Sequence, residues 1–529
     1  ALVPGQGAIN WKNVMNGAKK AGVKSYIVEM QVRPVEGSMD AFKESTRKIL
    51  EGIVRAKLTK TQKVDALAGA IASSTQYHHA LSSLCGAISN QGVGIVGTNN
   101  IPLLQNAGMY GSRIDGASDK PGGSRAAPRY IETMLEAVTK TIFLDADRPI
   151  LDWQYEDGML IEPKFFLPVI CMPLINGVEG IASGFSTKIP CYNPTEISRW
   201  HREWLNSEDG TVDLAPLKPW YRGFKGTITL VEKTVKGVKK RSWVSRGILS
   251  KCSDGKWWEI TELPIGLWTA KMKDHLDSMR AVTSKKTGKV HALIKDVREY
   301  HTNNTVHFKF LPAKGFTPDI DTPGNMKLLQ RSEGLDNMYL LDVNGVPRKY
   351  ATPEEILQAF CPIRLSYYEK RRKYLLALYK HQLSVAKNKY KFIKFVLSRK
   401  LDMHQSDEKL DESMLELGLE KLGAFKYGDA PNETDADAEE TSNTSEVASF
   451  KYLLDMQMRS MTEKRLTSLQ ADVKSLEETT ATLKAKTGRV LWLEDLDAFD
   501  AAYARFLKTR DDDVEPDEEG PKRKKKSAK

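Results

Sequence analysis

Ser124-Arg-Ala-Ala-Pro-Arg-Tyr130-Ile131 ends a stretch rich in Gly, Ser and Pro with a tyrosine directly after an arginine. A tyrosine that attacks a phosphodiester needs a nearby cation, because an unperturbed phenol has a pKa of about 10. It also needs positive groups for the charge that builds on the phosphorus oxygens. Finally it needs exposure, which a loop supplies better than a core strand. Arg129 meets the first need by position. Taken alone, the pair reads more simply as two surface neighbours, so the surrounding chain has to decide.

Upstream, Val64, Leu67, Ala68 and Ile71 follow the i, i+3, i+4, i+7 pattern of a helix, and residues 80–90 predict another. Joined by Ser73-Ser-Thr-Gln-Tyr-His-His79, they read as a helix-turn-helix, a module that presents side chains to DNA. Residues 92–125 read as loop, with eight glycines. From about 151, Gly226-Thr-Ile-Thr-Leu-Val231, Trp257-Trp-Glu-Ile-Thr-Glu262, Val290-His-Ala292 and Thr305-Val-His-Phe-Lys-Phe310 alternate with turns, as in an α+β domain. Beyond Pro353, Leu376, Tyr379, Leu383, Ala386, Tyr390, Ile393 and Leu397 form a heptad seam. A second seam runs Leu466, Leu469, Val473, Leu476 and Leu483, with Thr480 at one position. Ser460-Met-Thr-Glu463 fits a capping box opening that helix. Two seams predict an antiparallel coiled coil with a small domain at its tip. Residues 429–449 are acidic and poor in large apolar side chains, predicting a disordered insertion. Residues 501–529 read as a disordered charged tail. Its Lys522-Arg-Lys-Lys-Lys526 run suits non-specific DNA affinity or a nuclear address.

A chain of 529 residues exceeds one core, and roughly two to four domains are expected. The net charge of +11 favours a polyanionic partner, most simply nucleic acid. Five scattered cysteines without a CxxC pair suit a reduced intracellular protein with no zinc site. The longest apolar run, residues 165–175, is broken by Pro168 and Pro173, and the first residues do not form a secretory signal. Gly92-Val-Gly-Ile-Val-Gly97 matches a dinucleotide fingerprint literally, but Thr98-Asn-Asn-Ile-Pro102 follows instead of a helix. Asp145-Ala-Asp147 runs into Arg148-Pro149 and reads as a solvated, capped turn with a local ion pair. No metal-ligand set is read from the spacing. Arg47, His79 and Arg129 are the cations from which a cradle for Tyr130 would be built.

At this point the residues resemble a known family. Asp40-Ala-Phe-Lys43 with Arg47-Lys48, Leu67-Ala-Gly69 through Tyr77-His-His79 and Ser83-Leu84, Thr98-Asn-Asn100, Leu103-Leu104 and Gly111-Ser-Arg113 are similar to segments of type IIA topoisomerases. Ala127-Pro-Arg-Tyr130-Ile131 resembles the loop bearing that family's catalytic tyrosine. Ile161-Glu-Pro163, Leu167-Pro168, Ile175-Asn-Gly177, Glu179-Gly-Ile-Ala-Ser-Gly184, Ile260-Thr-Glu-Leu-Pro264, Trp268-Thr269 and Tyr452-Leu-Leu454 extend the resemblance, in family order, over roughly residues 33–500. The wording is nearer the eukaryotic, viral and phage branches than gyrase, and no pinwheel-like repeat follows the coil.

The resemblance implies a multidomain α+β protein: an N-terminal arm at 1–32, a winged-helix domain at 33–150, a tower at 151–345 and a coiled coil with exit gate at 346–500. It implies that Tyr130 attacks a DNA phosphodiester and holds the 5′ phosphate. Arg129 and Arg47 would stabilise the transition state, with His79 bonding the same phosphate. Ile181 would insert between base pairs, exchanging stacking for bent DNA. His78, Lys43, Lys48 and Asn99 would be further DNA contacts. Ala80-Leu81 stands where the family has Gly-Glu, which alters details of those contacts. The chain carries neither the metal-binding Toprim pattern nor the ATPase signature. Mg²⁺ and ATP are therefore expected from a Toprim/ATPase partner or from upstream sequence. The expected partners are duplex DNA and a second copy joined through the coiled-coil gate, with no membrane. The expected location is a bacterial host cytoplasm for a phage protein or the nucleus for a eukaryotic one. Two other readings compete: a non-catalytic DNA-binding scaffold, and a tyrosine recombinase. Arg47, His79, Arg129 and Tyr130 together argue against the first, and the heptad hairpin against the second.

Overall fold

A computed structural model of the chain describes residues 39–118, 123–182, 185–235, 238–283, 290–322, 325–342, 346–423, 425, 448–457 and 461–511. The expected arm, the tail beyond 511 and residues 429–447 of the expected insertion lie outside these. Ser449, the last residue of that insertion, is described and bridges to Leu422.

The first unit is built from α1 (Met39–Ala56), α2 (Val64–Thr75) and α3 (Leu81–Gly92). The apolar stripe read from sequence is the buried one: Val64, Leu67, Ala68 and Ile71 are fully buried and pack with Ile49, Ile53, Leu84 and Ile88. Helix α2 ends where Gln76 adopts a left-handed conformation (φ 53°), which frees the chain to turn into α3. A two-stranded ribbon, β1 (Gln62–Lys63) with β2 (Glu132–Thr133), sits at the opposite end of α2. Helices α1 and α2 approach closely at Gly52, where an added Cβ would lie 2.6 Å from Ile71 Cγ1. Gly52→Ala is expected to destabilise by about 1–3 kcal/mol through overpacking, read as a lower denaturant midpoint at unchanged slope.

Two hairpins follow. In the first, β3 (Trp153–Glu156) pairs with β4 (Met159–Pro163) and packs on α1. In the second, β5 (Val178–Ala182) pairs with β6 (Phe185–Ile189). Helix α4 (Pro194–Asn206) is capped by the Asn193 side chain and buries Ile197, Trp200 and Trp204. Then come β7 (Thr227–Val235), β8 (Val238–Arg246), β9 (Ile248–Lys251) and β10 (Trp258–Glu262). Later strands are β11 (Val282–Thr283), β12 (Val290–His291), β13 (Ile294–Glu299), β14 (Phe308–Pro312) and β15 (Gln330–Gly334). They form an antiparallel sheet ordered β15-β8-β7, another ordered β13-β14-β10-β9, and a separate two-stranded ribbon of β11 and β12. All four β-like runs read from sequence contribute strands.

Helix α5 (Pro353–Leu397) runs 45 residues and is capped by Thr352. Helix α6 (Glu463–Ala485) lies antiparallel to it. Arg372 donates to the Lys484 carbonyl at the root, and Lys387 pairs with Glu477 at 2.6 Å further out. Between them, a tip core gathers Phe392, Ile393, Leu410, Met414, Phe450, Leu453 and Leu469. The last seam residue, Leu397, is 43% exposed and lies past the paired section. Thr462 caps α6 by accepting from Arg465 N, so a residue without a carboxylate stands at the third position; Ser460 of the expected capping box lies outside the described residues.

Helix α7 (Gly488–Asp511) overturns part of the expected tail. Its Phe499, Ala502, Tyr503 and Phe506 repeat at helical spacing and are buried, so residues 501–511 belong to the fold. Their core also takes Ile101, Val169, Trp200, Trp204, Ile356, Tyr368 and Trp492, drawing on all three expected domains.

Asp147 is a second correction. It is buried, and it accepts from Arg364 at 2.7 Å and Arg371 at 3.4 Å rather than pairing with Arg148. Arg371 continues to Asp495 at 2.7 Å. Arg148 instead grips Glu51 of α1 with both nitrogens, at 2.9 and 3.0 Å. Neighbouring residues thus carry opposite charges to two different helices, a pattern invisible to local spacing.

Candidate active site

Tyr130 closes a turn in which its N–H donates to the Ala127 carbonyl at 2.8 Å. The next residue holds the turn down. Ile131 is fully buried, and its carbonyl accepts from Val64 N at the start of α2 (3.1 Å). Tyr130 itself is 67% exposed. The preceding loop is anchored by Arg125, which bonds Asn90, and by Ser124, which bonds Asp115. A rigid strand beside an exposed side chain is the arrangement a reacting group requires.

The Arg129 guanidinium lies 4.7 Å from the centroid of the Tyr130 ring. Its hydrogen bond, then its charge, holds the Tyr130 phenol below the ordinary tyrosine value, and Lys63 adds to the effect. The phenolate that a displacement needs is thereby made more accessible.

A second cluster occupies the far end of α2. The Lys48 ammonium donates to the Thr75 carbonyl and to Glu162 at 3.1 Å. Arg47 Nη2 lies 3.7 Å from the other Glu162 oxygen. Tyr77 Oη is 3.3 Å from Ser45 Oγ, and the Tyr77 ring meets His79 edge-on at 5.3 Å. Arg47 and His79 therefore belong to one cluster, and Arg129 and Tyr130 to another. Helix α2, twelve residues long, separates them by about 18 Å within one chain. A cradle around Tyr130 does not form within a single copy.

The other expected residues divide. Lys48 is buried and donates to the Thr75 carbonyl and to Glu162, so it braces α1 against α2 and β4. Asn99 spends its amide on the Asn90 and Val93 carbonyls, closing the end of α3. His78 is exposed and bonds Glu156 at 2.6 Å. The side chains of Lys43 and Ile181 lie outside the described residues, although Ile181 stands in β5 opposite Ser186. Glu162 was missed as a site residue. Its signal was present: a lone carboxylate framed by Ile161 and Pro163 in a strand needs a cation partner. Among the described residues, no three His, Cys, Asp or Glu side chains group where a metal could be held. The described residues therefore do not fit a resident metal. No described helix is long and apolar enough to cross a membrane.

A mixed α/β fold carrying an exposed Arg-Tyr pair beside a helix-turn-helix has a solved counterpart. A Plasmodium falciparum topoisomerase II DNA-binding, cleavage and re-ligation domain superposes with a TM-score of 0.75 at 31% identity, covering 91% of this chain and 63% of that one. The class is the DNA breakage-and-rejoining region of type IIA topoisomerases. The family model for the A-type subunits of DNA gyrase and topoisomerase IV matches residues 33–497, and the chain belongs to that family. Among curated relatives, DNA topoisomerase 2 of Bombyx mori is 34% identical over 501 residues, and that of Arabidopsis thaliana 34% over 486. Human DNA topoisomerase 2-beta is 33% identical over 483. Each match takes 88% of this chain but only 28–32% of the relative, so the chain spans about a third of their length.

Proposed function

We propose that this chain is the DNA cleavage–religation part of an ATP-dependent type IIA topoisomerase. The observation that carries the reading is Tyr130, exposed on a pinned turn with Arg129 against its ring. The Tyr130 oxygen attacks a backbone phosphorus, a bond forms to the 5′ phosphate, and the 3′ oxygen leaves as a hydroxyl. Attack by that hydroxyl reverses the step, so the energy of the broken bond is retained. One such break in each strand opens a duplex for passage of another. Residues 33–150 act as the winged-helix domain, 151–345 as the tower, and 346–500 as the coiled coil and exit gate. Mg²⁺ and ATP are supplied by a Toprim/ATPase partner or by sequence upstream of Ala1.

The separation of the two clusters supports a homodimer. Tyr130 and Arg129 of one copy meet Arg47 and His79 of the other, so the site is assembled between chains.

Incubating the holoenzyme with labelled duplex, denaturing it and mapping the labelled peptide tests this reading. An alkali-stable phosphodiester on Tyr130 is expected, and no adduct, or one on another residue, overturns it. The rate should also rise with pH and level off as the phenol loses its proton. Its inflection is expected below the usual tyrosine value of about 10. Arg129→Ala should move the inflection upward and lower the plateau by about 10²–10³-fold.

A further inference from the structure

Glu162 is among the most deeply buried carboxylates of the fold, at 1% exposure, and it faces two cations. The partners are not equivalent. Lys48 lies within hydrogen-bond distance of Oε2, at 3.1 Å, and is itself buried, so it neutralises the carboxylate. Arg47 stands 3.7 Å from Oε1, too far for a hydrogen bond but close enough for attraction. The Arg47 side chain is 18% exposed, and its Nε is buried without a hydrogen-bond partner. Among the described residues, Glu162 thus faces two cations, and Arg47 is the one nearer the surface. A buried ion pair is by itself a weak source of stability. Its clearest consequence here is directional: it draws the Arg47 guanidinium to the rim without saturating it. Strand β4, which carries Glu162, is fastened to α1 by Arg55, whose Nη2 donates to the Ile161 carbonyl at 2.7 Å. The carboxylate thus has a fixed position from which to hold the arginine.

We propose that Glu162 is a positioning residue for DNA cleavage, presetting Arg47 for the anionic phosphate and acting only through it. This rests on the reading that Arg47 stabilises the reacting phosphodiester. The test is a double-mutant cycle in the holoenzyme, following duplex affinity and the fraction of DNA trapped covalently by denaturant. Glu162→Gln is expected to leave affinity within about threefold and to lower covalent trapping about 10- to 100-fold, the cost of a misplaced catalytic group. Arg47→Ala should lower trapping at least as far, and the double variant no further than Arg47→Ala alone. Should Glu162→Gln misfold, Glu162→Gln combined with Lys48→Met removes both buried charges and is expected to show the same cleavage defect. Multiplicative losses in the double variant assign Glu162 a merely structural role and overturn the proposal. So does normal cleavage by Glu162→Gln while Arg47→Ala is impaired. Normal cleavage by Arg47→Ala instead removes the underlying reading of Arg47, and the inference falls with it.

Discussion

Tyr130→Phe is expected to bind duplex DNA as the unaltered chain does and to trap none of it covalently. The substitution removes one oxygen from a side chain that is 67% exposed. The folded state does not depend on that oxygen, because Ile131 and the β1–β2 ribbon hold the turn. Duplex affinity comes largely from cations meeting phosphates, and none is changed. The reaction loses its nucleophile, for which nothing nearby substitutes, so trapping should fall by about 10³-fold or more. The measurement pairs a binding isotherm with a denaturing gel. A denaturant-resistant adduct formed by Tyr130→Phe at more than a few per cent of the normal level would falsify the assignment. An unaltered chain that binds duplex but never cleaves it would favour the scaffold reading.

A mixed dimer is expected to give the second large effect. One copy carries Tyr130→Phe and the other Arg47→Ala, each inactive as a homodimer. If each site takes its tyrosine from one copy and its arginine from the other, the two lesions fall in the same site. The other site keeps both groups, and the mixed dimer nicks one strand. If each site is built within one copy, both sites carry a lesion and the dimer is silent. The 12-residue helix between the clusters favours the first outcome, with one-strand adduct near half the normal yield. Tandem purification through two different tags, then strand-resolved adduct analysis, distinguishes a nick from background.

What was legible in the sequence follows the range of the interactions. The stripe Val64, Leu67, Ala68 and Ile71 announced α2 because a helix repeats its buried face within a few residues. The strands from Thr227 to Phe310 and the seam from Leu376 to Ile393 were readable for the same reason. Asp147 was misread because its partners, Arg364 and Arg371, lie more than two hundred residues away. The burial of Lys48 was not legible, because a lysine beside an arginine gives no local sign of it. Residues 501–511 were hidden by a charged stretch that masked the spacing of Ala502, Tyr503 and Phe506. Tyr130 and Arg129 stood out as candidates because they are adjacent and sit among motifs that point to the same chemistry. The division of the site into two clusters was not legible, since it depends on how α2 is laid against α1.

The buried ladder from Asp147 through Arg364 and Arg371 to Asp495 fastens the root of the long hairpin to the core at two places, on α5 and on α7. Beyond Arg371, the remainder of α5 projects about 40 Å before Leu397. A beam clamped at one end transmits rotation rather than stretch. A tilt of about 10° at the clamp carries the far end sideways by about 7 Å, given that length. A rearrangement near Glu51 and Arg148 that tilted the clamp would be geared into a larger excursion at the tip. A rigid tilt of this kind would need no hydrogen bond along the shaft to break.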